Sequence, residues 1–121
     1  MPDPRHRLGM QAELGVAAAL EATGWRILAR RWRVPEGEID LVALDPRAVL
    51  VAVEVRARRS ERTGGAPQSV SERHVRRLAA ALRHYASETR VGHAGLRIDL
   101  VSVRRCDGRW RATRIAGIGG W

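Results

Sequence analysis

The spacing of apolar residues predicts two helices. Between Leu8 and Thr23, small or apolar residues recur every three or four positions, which is typical of a helix with one buried face, and Gly24 ends this run. A second helical run begins after Ser69 or Ser71, either of which can cap it. The apolar face of this second helix consists of Val75, Leu78, Ala79, Leu82 and Ala86. We therefore expect two helices, each with one face on a shared core.

Runs of alternating or continuous apolar residues predict five strands, at residues 25–34, 38–44, 48–58, 96–103 and 109–118. The third, AVLVAVEVRAR, is apolar on both faces in its first half, so it should be central and covered on both sides. A turn at residues 45–47 joins the second and third strands, and Asp107-Gly108 predicts a two-residue hairpin between the last two. The order of elements indicates an α/β fold with a mixed central sheet flanked by helices.

Length and composition are those of one globular domain. The chain has 121 residues, of which 45% are hydrophobic and 29% charged. We assign residues 1–121 to a single domain, with a core over residues 8–103 and a C-terminal hairpin strand within 104–121. No apolar run approaches the roughly 20 residues that a membrane helix needs. We therefore expect no membrane partner, and because the single cysteine, Cys106, can form no internal disulfide, we expect a cytoplasmic protein.

The net charge is strongly positive and comes entirely from arginine. Against 13 acidic residues the chain has 22 basic ones, which gives a formal charge of +9, and it contains no lysine. Such a field favours polyanionic partners, nucleic acid first, because arginines that neutralise phosphates release counterions. The alternative is a codon bias towards arginine whose only consequence is solubility. Composition therefore favours a nucleic-acid partner without identifying a reaction.

Charged residues interrupt the apolar hairpin of the second and third strands. Asp40 lies on one strand, and Glu54 and Arg56 lie two residues apart on the other, so these two share a face. If the loop comprises residues 46–48, Asp40 falls opposite Glu54 with β-carbons about 5 Å apart. A two-residue turn at positions 46 and 47 would instead send Asp40 to the opposite face. The register of this hairpin therefore decides whether the two carboxylates meet.

Two adjacent carboxylates repel each other unless a cation lies between them, and their oxygens suit Mg²⁺ or Mn²⁺. A metal held there could activate water and neutralise charge on a phosphodiester, while Arg56 could contact the scissile phosphate. An ion pair of Arg56 with Glu54 or Asp40 that closes the end of the sheet explains the same residues equally well.

Five segments, in order, resemble the YraN family, small bacterial proteins of the restriction-endonuclease-like superfamily. They are Ala12-Glu13, GEIDLVA (37–43), VAVEVRAR (51–58), VSERHVRRL (70–78) and RIDLVSV (97–103). The resemblance implies a nuclease core in which an aspartate and a Glu-x-Lys on neighbouring strands bind a divalent metal and hydrolyse phosphodiesters. By position, Asp40 and Glu54 match the metal-binding carboxylates, and Glu13 matches a helix glutamate that can complete the site.

The chain departs from the family pattern at two positions. Arg56 stands where the family has its catalytic lysine, and His74 stands where it usually has another lysine. A guanidinium stays charged and fixed, whereas an ammonium can shift its pKa, so arginine is not a conservative replacement. His74 could contact phosphate or shuttle a proton, although a histidine near a helix start is commonly a surface or capping residue.

We therefore predict a metal-dependent endonuclease acting on DNA, including branched or single-stranded forms. Asp40, Glu54 and Arg56 would be catalytic, and Glu13, Asp40 and Glu54 would bind Mg²⁺ or Mn²⁺. The predicted nucleic-acid contacts are Arg31, Arg33, Arg58, Arg59, His74 and Arg77. Two alternatives are a nucleic-acid-binding protein that retains the fold but not cleavage, and a protein-interaction module with an incidental basic surface. A homodimer would suit a junction-cleaving relative.

Overall fold

A computed structural model describes residues 4–58 and 70–119, with the side chains of residues 9–57 and 70–119. Its elements are α1 (Pro4–Ala22), β1 (Arg26–Val34), β2 (Gly37–Leu44), β3 (Leu50–Arg58), α2 (Glu72–Thr89), β4 (Leu96–Cys106) and β5 (Arg109–Ile115). The predicted class, an α/β fold with a mixed five-stranded sheet flanked by helices, is confirmed. Within the described residues, neither helix has the length and apolarity needed to cross a membrane.

The strands lie in the sheet in chain order, β1-β2-β3-β4-β5. Only β3 and β4, which are linked through α2, run parallel, and the other neighbours are antiparallel. Strand β3 is central, as its two apolar faces predict. Val51 and Val53 pack on the side of α1, and Leu50 and Ala52 pack on the side of α2. The centre of the sheet is therefore covered on both faces, and polar chemistry can concentrate at the ends of the strands.

Each helix buries most of the apolar face that the sequence predicts, although Ala19 of α1 and Thr23 just after it, which follow the predicted spacing, are exposed. The α1 side of the core contains Ala12, Val16, Ala17 and Leu20, and the α2 side contains Val75, Leu78, Ala79, Ala81, Leu82 and Tyr85. Helix α1 begins before Leu8, because apolar periodicity marks the buried part of a helix rather than its ends. Ser71 caps α2 by accepting a hydrogen bond from the His74 amide at 3.1 Å, whereas Ser69 lies outside the described residues.

The loop between β2 and β3 has the length that brings the two carboxylates together. Asp45 donates its amide to the Val49 carbonyl at 2.9 Å, and its carboxylate accepts from the amides of Arg47 and Val49. Residues 41–44 of β2 pair with residues 50–53 of β3, from Leu44 opposite Leu50 to Leu41 opposite Val53. The loop thus comprises residues 46–48, and the next register position sets Asp40 opposite Glu54.

The second predicted turn is also present. Asp107 and Gly108 have φ values of 51° and 73°, as a two-residue hairpin of the primed type requires. Strand β5 ends at Ile115 rather than at the predicted residue 118. The Ile118 amide instead bonds to the carbonyl of Ile98, near the start of β4. Residues 109–114 are exposed, so β5 forms an open edge of the sheet.

Candidate functional site

A cleft of about 440 Å³ opens where β2 and β3 meet the start of α2. We call it the carboxylate cleft. It is lined by Glu13, Arg31, Arg33, Glu38, Asp40, Glu54, Val55, Arg56 and His74. Most of the predicted site residues are therefore together. Arg77 lies exposed on α2 and does not line the cleft, while the Arg58 side chain and all of Arg59 lie outside the described residues.

Asp40 lies at a break in the regular alternation of β2. Leu41 packs on the α1 side of the sheet, yet Ile39, two residues earlier, packs on the α2 side. On the paired strand, Arg31 has a φ of 51° and sits between the Arg30–Leu41 and Trp32–Ile39 pairs. A positive φ is uncommon for a residue with a side chain and frequently marks a functional position. This local irregularity places Asp40 at the cleft.

Asp40 and Glu54 form a close carboxylate pair. Asp40 Oδ2 accepts the Val55 amide at 2.9 Å, and Glu54 is only 6% exposed. Burial, followed by a hydrogen bond with Glu54 and the negative charge of that residue, raises the pKa of Asp40 to about 7. Two carboxylates this close cannot both be ionised without cost, so the metal-free pair shares a proton near neutral pH.

Two nitrogen donors converge on the same oxygen of Glu54. Arg56 Nη2 lies 3.1 Å from Glu54 Oε2, and His74 Nε2 lies 2.5 Å from it. The ion pair between Arg56 and Glu54, which the sequence offered as an alternative to a metal site, is therefore present. Burial lowers the pKa of His74, as do the positive charges of Arg56 and Arg77. A neutral imidazole can donate its Nε2 proton to Glu54 and so fix the orientation of that carboxylate.

Arg56 retains hydrogen-bonding capacity in the cleft. Its Nε atom is buried and, within the part of the chain that the structure describes, has no acceptor. Its side chain is nevertheless 42% exposed, so the guanidinium reaches from the protein interior to the cleft. A buried donor without a partner is costly, and an acceptor that arrives with a ligand would remove this cost.

Glu13 reaches the cleft from α1, but its carboxylate is bound by Arg31, with Nε to Oε1 at 3.0 Å. Arg33 is likewise paired with Glu38 at 3.1 Å. Among residues 4–58 and 70–119, no group of three or more His, Cys, Asp or Glu is arranged to hold a metal. The structure therefore brings two of the three predicted ligands into contact and leaves the third paired with an arginine.

The donor set present fits a hard divalent cation. Mg²⁺ is commonly held by only one or two carboxylates, and water and substrate phosphate complete its octahedral shell. Asp40 and Glu54 supply two such carboxylates at one point, and their shared proton marks a place where positive charge is favoured. The pair thus meets the minimum for an ion that completes its coordination with substrate.

A buried acidic residue that sequence reasoning gave no role lies at the other end of the sheet. Asp99 is fully buried and accepts from Arg97 at 2.8 and 3.0 Å, from Arg114 at 2.8 Å and from the Gly117 amide at 3.1 Å. Arg97 also bonds to Asp45 at 2.9 Å. The signal in the sequence that could have identified this cluster is an aspartate within an otherwise apolar strand. Its complete pairing indicates a structural function.

Comparison with known proteins supports the family resemblance. The chain matches the model of the uncharacterised protein family UPF0102 over residues 12–103. A UPF0102 protein from Mycolicibacterium vanbaalenii is 37% identical over 118 residues, which cover 98% of this chain and 95% of the relative. UPF0102 protein MCA0184 from Methylococcus capsulatus is 47% identical over 95 residues, or 78% and 76% of the two chains.

A solved structure, that of Pyrococcus furiosus SfsA in complex with Ca²⁺, aligns with 89% of this chain and 58% of its own. Its TM-score is 0.32 and its sequence identity is 18%. This likeness is too low to support an inference about the present protein.

Proposed function

The chain belongs to the uncharacterised protein family UPF0102, the YraN-like family of the restriction-endonuclease-like superfamily, and from this premise we propose that it is a metal-dependent nuclease. The observation that carries the proposal is the buried pair of Asp40 and Glu54, in which burial, then the hydrogen bond with Glu54 and the negative charge of Glu54, raise the pKa of Asp40 to about 7. A fold that keeps two carboxylates together against repulsion is expected to use them on a cation. DNA, including branched DNA, is the proposed substrate.

In this proposal each residue of the carboxylate cleft has a separate task. Asp40 and Glu54 would hold Mg²⁺ or Mn²⁺, which supplies water activation and charge neutralisation when bound. Arg56 would donate its free Nε–H to a phosphate oxygen, and His74 would keep Glu54 oriented. The pair of Arg31 with Glu13 would open when phosphate competes for Arg31, which frees Glu13 to approach the metal.

Calorimetric titration of Mn²⁺ tests the site without requiring a known substrate. We would compare wild type with Asp40→Asn and Glu54→Gln at about pH 8, where the shared proton is largely lost. Glu72→Gln is the matched control, because this substitution removes the same charge from a side chain that is 95% exposed. One saturable site that is lost in both cleft variants and kept in the control supports the proposal. Equal binding in all four proteins, or none in wild type, would contradict it.

A second candidate function is nucleic-acid binding without cleavage. It is favoured by Arg56, because a guanidinium that is ion-paired with Glu54 stands where the family resemblance implies a catalytic lysine. The variant Arg56→Lys distinguishes the nuclease from a protein that binds nucleic acid without cleaving it. Arg77→Lys is the control, because Arg77 lies outside the cleft. If wild type binds duplex, flap or junction DNA without turnover while Arg56→Lys cleaves it, the arginine has impaired an inherited nuclease site. Cleavage by wild type at a rate that Arg56→Lys does not exceed favours the nuclease.

A further inference from the structure

Several arginines of the hairpin of β4 and β5 have no acidic partner among the residues that the structure describes. Arg104 lies directly opposite Arg111, and Arg109 lies opposite Cys106. Within the described residues, Arg104, Arg109 and Arg111 take part in none of the ion pairs. By contrast, Arg97 and Arg114, on the same two strands, are both bound to Asp99. The unpaired arginines therefore call for a different explanation.

The opposition of Arg104 and Arg111 costs stability. Residues directly opposite each other in an antiparallel pair have β-carbons about 5 Å apart, and like charges at such positions are destabilising. The molecule already has a charge of +9, which adds to the repulsion. An anion held between the two guanidinium groups would offset this cost, and phosphate matches their planar donor geometry.

These arginines lie on the same face of the sheet as the carboxylate cleft. Arg56 pairs in register with Ser102, and Ser102 pairs with Thr113, so a row of polar side chains leads away from Arg56. Arg104 and Arg111 follow two residues further along the same strands and face. From strand spacing and rise, their α-carbons lie about 8 and 12 Å from that of Arg56. In backbone register, Arg58 pairs with Arg104 and adds an arginine position to this row.

The polar side chains of this row match those that bind nucleic-acid backbones. Guanidinium and hydroxyl groups are frequent donors to phosphate oxygens, and such contacts fix the position of a strand without reading its bases. At a rise of about 3.4 Å per nucleotide along the axis of a duplex, separations of about 8 and 12 Å correspond to about two to four nucleotides. A strand whose phosphate is at Arg56 can thus reach Arg104 and Arg111 with neighbouring phosphates.

We propose that Arg104, Arg109 and Arg111, together with Ser102 and Thr113, form an arginine patch that binds the phosphate backbone of duplex DNA beside the carboxylate cleft. The proposal rests on the proposed function, since it takes the cleft as the place of the reacting phosphodiester. It goes beyond that function by assigning a binding surface on β4 and β5. The patch positions the strand and contributes no sequence preference.

The salt dependence of DNA binding tests the arginine patch. We would measure fluorescence anisotropy of a duplex of about 20 base pairs over roughly 50 to 200 mM salt, with EDTA present so that metal does not contribute. Wild type is compared with the double variant Arg104→Gln/Arg111→Gln. The control, Arg26→Gln/Arg47→Gln, removes the same charge from exposed residues at the opposite end of the sheet. This control measures how far a lower net charge alone weakens DNA binding.

Two lost phosphate contacts should lower the slope of log K against log salt by about 1.8, at about 0.9 per contact. The control should change the slope by less than half of that. Arg104→Lys/Arg111→Lys should restore most of the slope, and thermal melting should show that all variants are folded. Equal losses in the patch and control variants, or a wild type that does not bind the duplex, would overturn the proposal.

The same set of proteins separates failure of the patch from failure of the cleft. Equal losses in both double variants, together with an intact Mn²⁺ site, would remove the arginine patch and leave the nuclease proposal standing. A selective loss in the patch variant, with no Mn²⁺ site in wild type, would retain the patch and remove the metal site.

Discussion

The tripeptide Ile-Asp-Leu occurs twice in this chain, and its two aspartates have different surroundings. Asp99 is enclosed by two guanidinium groups and one amide, which neutralise and hydrogen-bond its carboxylate. Asp40 is largely buried, receives only one amide and faces Glu54, and burial together with the Glu54 carboxylate raises the pKa of Asp40 to about 7. The chemistry of each aspartate therefore depends on the neighbours that the fold supplies, and this difference can be measured for each residue.

The shared proton of Asp40 should make the metal-free protein less stable as pH rises. The folded state keeps a proton that the unfolded state releases near pH 3.8, so the stabilisation is complete below that pH and is lost towards pH 7. The loss is at most about 4 kcal/mol. Urea denaturation in EDTA across this range should show this decline in wild type and not in Asp40→Asn. Parallel curves for the two proteins would contradict the shared proton.

Loss of Asp99 should destabilise the fold strongly. Asp99→Ala leaves Arg114 without its carboxylate and Arg97 with Asp45 alone, and breaking such a pair at a buried carboxylate costs up to about 3 kcal/mol. Asp45→Ala is the comparison, because Arg97 then keeps both bonds to Asp99. Urea midpoints of the two variants measure the difference. A smaller loss for Asp99→Ala than for Asp45→Ala would refute the central position of Asp99.

At the scale of elements, local sequence rules predicted the strands and the turns, and they identified the loop at residues 46–48 as the one of two open registers that brings Asp40 to Glu54. Periodicity of two and the loop at residues 46–48 are sufficient for that register. They do not predict the break at Arg31 and Asp40. Because the sheet is covered on both faces, apolar neighbours on either side of Asp40 do not specify which way they point.

The sequence also did not predict the side-chain contacts between helices and strands. The bond from His74 to Glu54 depends on how α2 docks against β3, and the pair of Glu13 with Arg31 depends on the packing of α1. Neither distance follows from periodicity, which gives the buried face of a helix but not its position along the sheet. Sequence therefore identified the acidic pair, and tertiary packing supplied its partners.

Removal of one opposed arginine should stabilise the β4–β5 hairpin. Arg104→Gln relieves the repulsion with Arg111 and should raise the unfolding free energy by about 0.5 kcal/mol at low salt. The gain should fade towards about 1 M salt, where the screening length falls to about 3 Å and is shorter than the distance between the two side chains. Urea denaturation at low and high salt measures it, with Arg47→Gln in the loop at the opposite end of the sheet as the control. Destabilisation at low salt would mean that Arg104 has a stabilising partner.

At the scale of the whole molecule, an acidic pair lies within a strongly basic chain. The net charge of +9 attracts polyanions, whereas Asp40 and Glu54 repel a phosphate that arrives without a cation. A divalent ion at the pair would reverse the local sign and make the carboxylate cleft continuous with the positive surface around it. Metal binding and phosphate binding are therefore expected to reinforce each other.

Metal binding should also couple to the stability of the entire fold, because the folded chain assembles the pair. Mn²⁺ at a hundredfold excess over its dissociation constant should stabilise the protein by about 2.7 kcal/mol. The ion must displace the shared proton, so a fixed Mn²⁺ concentration should stabilise more at about pH 8 than at about pH 6. Denaturation with and without Mn²⁺ at both pH values checks this, and Asp40→Asn should show little stabilisation at either. If the ion stabilises Asp40→Asn as much as wild type, its site lies elsewhere in the molecule.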